Sequence, residues 1–139
     1  MWIVLLQLKK SEVHLSEQWF HVVKAKTDAG VRDVPIADKI VPLFENLMKT
    51  DGEYFIANKK SLYSYSVFKN KFWIPLNEEL GTNHLPHDTR HTCVSRLAEA
   101  KIEQTTIKKI VGHVGAMSVT EKVYTHYDIK PLLEAVNLI

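Results

Sequence analysis

The chain has 139 residues, enough to bury one hydrophobic core and too few for two full domains. Its apolar share of 45% and charged share of 24% are ordinary for a globular fold, and a net charge of +2 offers no compositional argument for a nucleic-acid partner. The longest apolar run, Trp2 to Leu6, is far too short to span a bilayer. The lone cysteine, Cys93, excludes an internal disulfide, fits a reducing cytoplasm, and on a helical pattern is expected to pack in the core.

In chain order, Trp2 to Lys10 reads as the tail of an apolar helix. Trp19-Phe20-His21-Val22-Val23 and Arg32-Asp33-Val34-Pro35-Ile36 are two expected strands around the turn Thr27-Asp28-Ala29-Gly30. Asp38 is placed to cap a helix running to about Met48, with Ile40, Leu43, Phe44 and Leu47 at spacings of three and four. Tyr54-Phe55-Ile56-Ala57 reads as a short third strand. A helix from about Ser64 carries Val67, Phe68, Phe72 and Leu76, with Pro75 bending or ending it. Between Asn58 and Trp73 stand Lys59, Lys60, Lys69 and Lys71, no acid, and interleaved aromatics. Such a stretch either follows a phosphate backbone or is a solvated face over an aromatic stripe.

Helical pieces then crowd the C-terminal half. The first opens near Pro86 and carries Val94, Leu97 and Ala98 on one stripe, which His87 and Arg90 continue into the first turn. The next, with Ile107, Ile110 and Val111, ends at Gly112, whose missing Cβ suits a left-handed cap. Ser118-Val119-Thr120-Glu121 fits a capping box opening a third helix with Tyr124 two turns in. Ile129, Leu132, Leu133 and Val136 form the stripe of a last helix with Pro131 in its first turn. The expectation is a single domain, residues 1–139, mainly α with a small antiparallel β-sheet.

Two histidines, an arginine and a tyrosine fall within this C-terminal block: His87, Arg90, His113 and Tyr124. A phenol is a weak nucleophile at its ordinary pKa of roughly 10 and needs a base and an electrostatic cradle. An arginine fork matches two phosphate oxygens, and an imidazole moves protons near neutral pH. Together these groups suit metal-free phosphodiester cleavage, with no cofactor. Each residue alone has a bland alternative: a histidine at a helix start as a cap, a C-terminal tyrosine as packing. Asp88 and His91 are expected to satisfy backbone groups at the helix start.

In order and spacing, His87-x-x-Arg90, Gly112-His113 and Tyr124-x-His126 resemble the C-terminal catalytic domain of the tyrosine recombinases, or phage-type integrases. The resemblance runs from Leu5 to about Val136. It implies Tyr124 as nucleophile, preferred over Tyr127 because the family's tyrosine is followed by x-His. It implies Arg90, His87 and His113 on the phosphate, and a hairpin lysine as general acid, Lys26 first and Lys24 in reserve, ahead of Arg32-x-Val34-Pro35. It also implies duplex DNA and other recombinase protomers as partners, no membrane association, and a bacterial or phage-infected cytoplasm. The last helix docks either in cis or on a neighbour.

One departure stands out. The family's first catalytic arginine opens an Arg-x-x-Glu-Leu-Leu-x-Leu helix, and here Leu5-Leu6-Gln7-Leu8 matches its end, placing Met1 where the arginine belongs. An N-terminally shortened catalytic domain, from an excised enzyme or a degenerate prophage gene, is therefore expected, with impaired recombination by itself. Two rivals remain. One is a catalytically dead DNA-binding module of the same fold. The other is a zinc-dependent hydrolase using His87 and His91, four residues apart on one helix.

Overall fold

Two hydrophobic clusters organise the molecule. The computed structural model describes residues 5–23, 31–57, 62–112 and 128–139. In the N-terminal half, β1 (Val13–His14), β2 (Trp19–Val22) and β3 (Arg32–Pro35) form an antiparallel sheet in that order. The register sets Phe20 against Val34 and Val22 against Arg32. Directly opposed residues share a face, so Phe20, Val22, Val34 and Arg32 point inward together. On the outer face His21 Nδ1 lies 2.6 Å from Asp33 Oδ1, and the rings of His14 and Trp19 stack at 3.9 Å. Phe20 and Val22 meet Leu8, Ile36, Phe44 and Phe55 in the first core.

Three expectations change here. Tyr54–Ala57 is not a strand of the sheet: Tyr54 makes a single bridge to Lys9, and Ala57 one to Leu62. The chain turns into a 3-10 helix at Lys10–Glu12 immediately after that bridge, so no ladder can grow, and the third strand is Val13–His14 instead. Asp38 is not a helix cap. Its carboxylate accepts from Gln18 Nε2 at 2.6 Å, and a 3-10 turn at Asp38–Ile40 leads into α1 (Val41–Met48), which starts with Pro42 in its first turn. On α1 Phe44 is buried, whereas Leu43 faces solvent.

α2 (Tyr65–Phe68) starts where expected, and Ser64 caps it, its hydroxyl accepting from the Val67 amide at 3.2 Å. Pro75 does not end the helix. It lacks the N–H that would bond back to Lys71, and the helix widens into a π-turn over Lys69–Trp73, where the Ile74 amide reaches Lys69 O. Pro75 then lies in the first turn of α3 (Ile74–Leu80), where a missing donor costs little. Val67, Phe72 and Leu76 are exposed, so this helix does not carry the core stripe that its spacing implies.

The second core lies between α4 (Asp88–Glu99), α5 (Gln104–Val111) and α6 (Ile129–Asn137). Leu97, Ile107, Ile110, Val111, Leu132, Ala135 and Val136 are its buried members, with Ala37 from the connection after β3. Cys93 and Val94 pack against them, whereas Ala98 is exposed, so the stripe of α4 is rotated slightly from expectation. The Asp128 carboxylate accepts from the Lys130 amide at 3.1 Å, and Pro131 sits in the first turn of α6. This helix docks in cis, against α5 and β3, with Asn137 Oδ1 accepting from the Asp38 amide at 2.8 Å. Ile40 touches both cores.

Leu97 is fully buried, so Leu97→Ala is expected to destabilise by about 2–5 kcal/mol. Leu43→Ala, at a side chain 60% exposed, should stay within about 0.5 kcal/mol of the parent. Urea unfolding followed by circular dichroism compares them, and equal losses would overturn this placement of the core.

Candidate active site

The approach to α4 is pinned from the preceding helix. Asn77, the buried polar residue of α3, donates to Trp73 O at 2.9 Å. Its Oδ1 accepts from Thr82 Oγ1 and from the His84 amide, both at 2.8 Å. Trp73 Nε1 adds a bond to His84 O at 2.7 Å. The loop so anchored reaches Pro86, which is fully buried, and then His87 at the N-cap position of α4. His87 makes no capping bond there. Asp88 has a structural role of the kind expected, its Oδ2 accepting from the Leu85 amide at 2.8 Å in the approach to the helix. His91 instead meets His87 edge to face, ring centroids 5.0 Å apart.

Arg90 lies one turn into α4, and its Nη1 donates to Val111 O, in the last turn of α5. That helix ends as its sequence implies. Gly112 takes the left-handed conformation, φ 67° and ψ 54°, and its amide bonds back to Lys108 O at 2.8 Å. The preceding carbonyl, Ile110 O, accepts from a second arginine, Arg32 Nε, at 3.0 Å. Two guanidinium groups thus serve consecutive carbonyls at one helix end, where the helix dipole places partial negative charge.

The electrostatics follow from this crowding. Burial pushes the Arg32 guanidinium down to about 10, and the neighbouring Arg90 charge acts in the same direction. Arg32 still carries its charge at neutral pH. Burial raises the Cys93 thiol, with Arg90 opposing, so this cysteine is a packed neutral group as expected.

Of the residues singled out from sequence, His87 and Arg90 are brought to one helix start. His87 is exposed, while Arg90 is half-buried. Lys69 and Lys71 lie on the π-turn. Lys71 Nζ stands 5.6 Å from the Phe72 ring centre and 6.0 Å from that of Tyr63. Lys24, Lys26, Lys59, Lys60, His113, Tyr124, His126 and Tyr127 lie outside the described residues. Around His87 and His91, no group of three or more candidate metal ligands occurs among the described residues. The sequence shows Arg32 only as part of a strand motif, with no role in the site. Its signal was the alternation Arg32, Val34, Ile36, which sets the arginine among inward-facing residues.

The model of the phage integrase family matches residues 4–130. The chain belongs to that family. The crystal structure of XerA recombinase superposes with a TM-score of 0.70 at 26% sequence identity, covering 94% of this chain and 49% of that one. The chain therefore spans about half the length of that recombinase. No curated protein matches. The mainly helical fold with a small antiparallel sheet is the integrase-like one. Among the described residues, no helix is long and apolar enough to cross a membrane.

The Asn77 anchor has a measurable consequence. Asn77→Leu removes three hydrogen bonds and leaves the His84 amide without that acceptor. It is expected to cost about 1–3 kcal/mol and to speed hydrogen exchange at the His84 amide ahead of global unfolding. Unchanged exchange at His84 would show that the anchor does not hold the loop.

Proposed function

We propose that this chain is the DNA-cleaving and rejoining part of a site-specific tyrosine recombinase. The observation that carries the reading is the placement of Arg90 at the start of α4, fork tied to the last turn of α5 beside Gly112, with His87 one turn away. Arg90 then neutralises the charge that develops on the pentacoordinate phosphorus, and His87 and His113 donate hydrogen bonds to its oxygens. The Tyr124 phenol gives up its proton to a neighbouring imidazole, and its oxygen attacks phosphorus. The bond to the 5′ oxygen breaks, and that oxygen takes a proton from Lys26. The product is a 3′-phosphotyrosyl link, which keeps the bond energy for religation and calls for no metal or nucleotide.

Lys59, Lys60, Lys69 and Lys71 would lie along the duplex backbone, other protomers would complete the synaptic assembly, and the bacterial or phage-infected cytoplasm is the setting. The 139-residue polypeptide alone contains only the Leu-Leu-x-Leu end of the segment that carries the family's first arginine. Losing one of two phosphate-binding guanidinium groups costs on the order of 3 kcal/mol by analogy with an oxyanion donor, so weak cleavage by this polypeptide is expected.

A nicked suicide duplex bearing the attachment site tests the chemistry, the readout being a protein–DNA adduct that survives denaturing electrophoresis. The expected result is a slow adduct, abolished in Tyr124→Phe and slowed by about 10²–10³-fold in Arg90→Ala. An adduct that persists in Tyr124→Phe overturns the nucleophile, and efficient cleavage by the unmodified polypeptide overturns the impairment. Duplex binding with no adduct, even when an arginine-bearing helix precedes Met1, would mark a DNA-binding module instead. Lys71→Ala should weaken duplex binding regardless of base sequence and reduce the salt slope by about one counterion. A sequence-dependent loss would assign Lys71 to base readout.

A further inference from the structure

We infer that Arg32, on the sheet, is a positioning residue of the integrase site: it fixes the carbonyl end of α5 and through it the direction of the Arg90 fork. This rests on the recombinase reading above. The register of β3 puts Arg32 on the inner face opposite Val22, so its side chain runs beneath the sheet toward α5. Its Nε donates to Ile110 O at 3.0 Å, while Arg90 Nη1 donates to Val111 O, the next carbonyl along. Each arginine thereby limits where the other can go. The link joins residues 78 positions apart and ties the sheet to the helix end that precedes His113.

Gly112 is the third part of the device. A Cβ built there would stand 2.5 Å from Arg32 Nη1 and 2.7 Å from Cζ, so the guanidinium lies against the bare Cα. Glycine suits this position first for its positive φ, and a Cβ there would also require the Arg32 guanidinium to shift. Packing alone does not account for the guanidinium. Arg32 lines an apolar cavity of about 290 Å³ with Phe20, Val22, Val34 and Val111, where an aliphatic chain would fit without the cost of burying charge. The fork geometry supplies what an aliphatic chain cannot, a directed bond to a helix-end carbonyl with a second cation alongside. Arg32 is more enclosed than a phosphate ligand needs to be, so contact with DNA is left to Arg90.

The test uses Arg32→Met and Arg32→Lys in the whole chain, with circular dichroism to establish that each folds. The first readout is the Arg90 Nε–H resonance in ¹⁵N spectra. A shift toward the solvent-exposed position in Arg32→Met is expected, and an unmoved resonance overturns the inference whether or not the protein cleaves DNA. The second is single-turnover adduct formation on the nicked duplex. Arg32→Met should slow it by about tenfold to a hundredfold while duplex affinity stays within about twofold, with no rescue by Arg32→Lys, whose single ammonium cannot reproduce the fork. Parent cleavage with an equal rate in folded Arg32→Met also overturns it. If the parent forms no adduct at all while the Arg90 resonance moves, the recombinase chemistry fails and the positioning role stands.

Discussion

The carbonyl end of α5 is where the two halves of this protein are coupled electrically. Helix ends leave several carbonyls unpaired, and buried ones need donors. Here the donors are Arg90 from the start of α4 and Arg32 from β3. The arrangement brings two like charges close, which is unfavourable in itself, and sets them against the negative end of a helix, which offsets part of that cost. What remains is a cationic site held in place by backbone geometry. That is the property a phosphate-handling enzyme needs before any substrate arrives.

The rest of the fold supplies rigid supports for this junction. The sheet is minimal, with a two-residue edge strand, yet its register is enough to aim Arg32 inward. From the other side, Asn77 and Trp73 hold the loop that delivers Pro86 and His87 to the start of α4. The α6 stripe closes the second core from the same chain, contacting both α5 and β3. Each support is local and short, and each converges on residues 86–90 or 110–112.

Much of this was legible in the sequence wherever local physics decides the outcome. Gly112 as a left-handed cap, a helix starting at about Ser64, Pro131 in the first turn of the last helix, and the inward stripe through Leu97 follow from short-range rules. Elements decided by distant partners were not legible. Asp38 has the look of a cap, but Gln18 and Asn137 claim its groups from 20 and 99 residues away. Tyr54–Ala57 has strand-like composition, and only the early 3-10 turn after Lys9 denies it a partner. Val67 and Phe72 have helical spacing without burial, because that helix turns an apolar flank outward. Within the site, His87 and Arg90 were readable as a motif. Arg32 was not, since its importance comes from a contact across 78 positions.

The split of the interior into two clusters has a consequence for how the molecule comes apart. Only Ile40 packs against both among the described residues, and an apolar cavity lies at the seam, lined by side chains from each. The seam is nonetheless bridged by α6 against β3, by Arg32 on the end of α5 and by Asn137 on the Asp38 amide, so the two clusters are expected to lose order together in one all-or-none transition rather than one after the other.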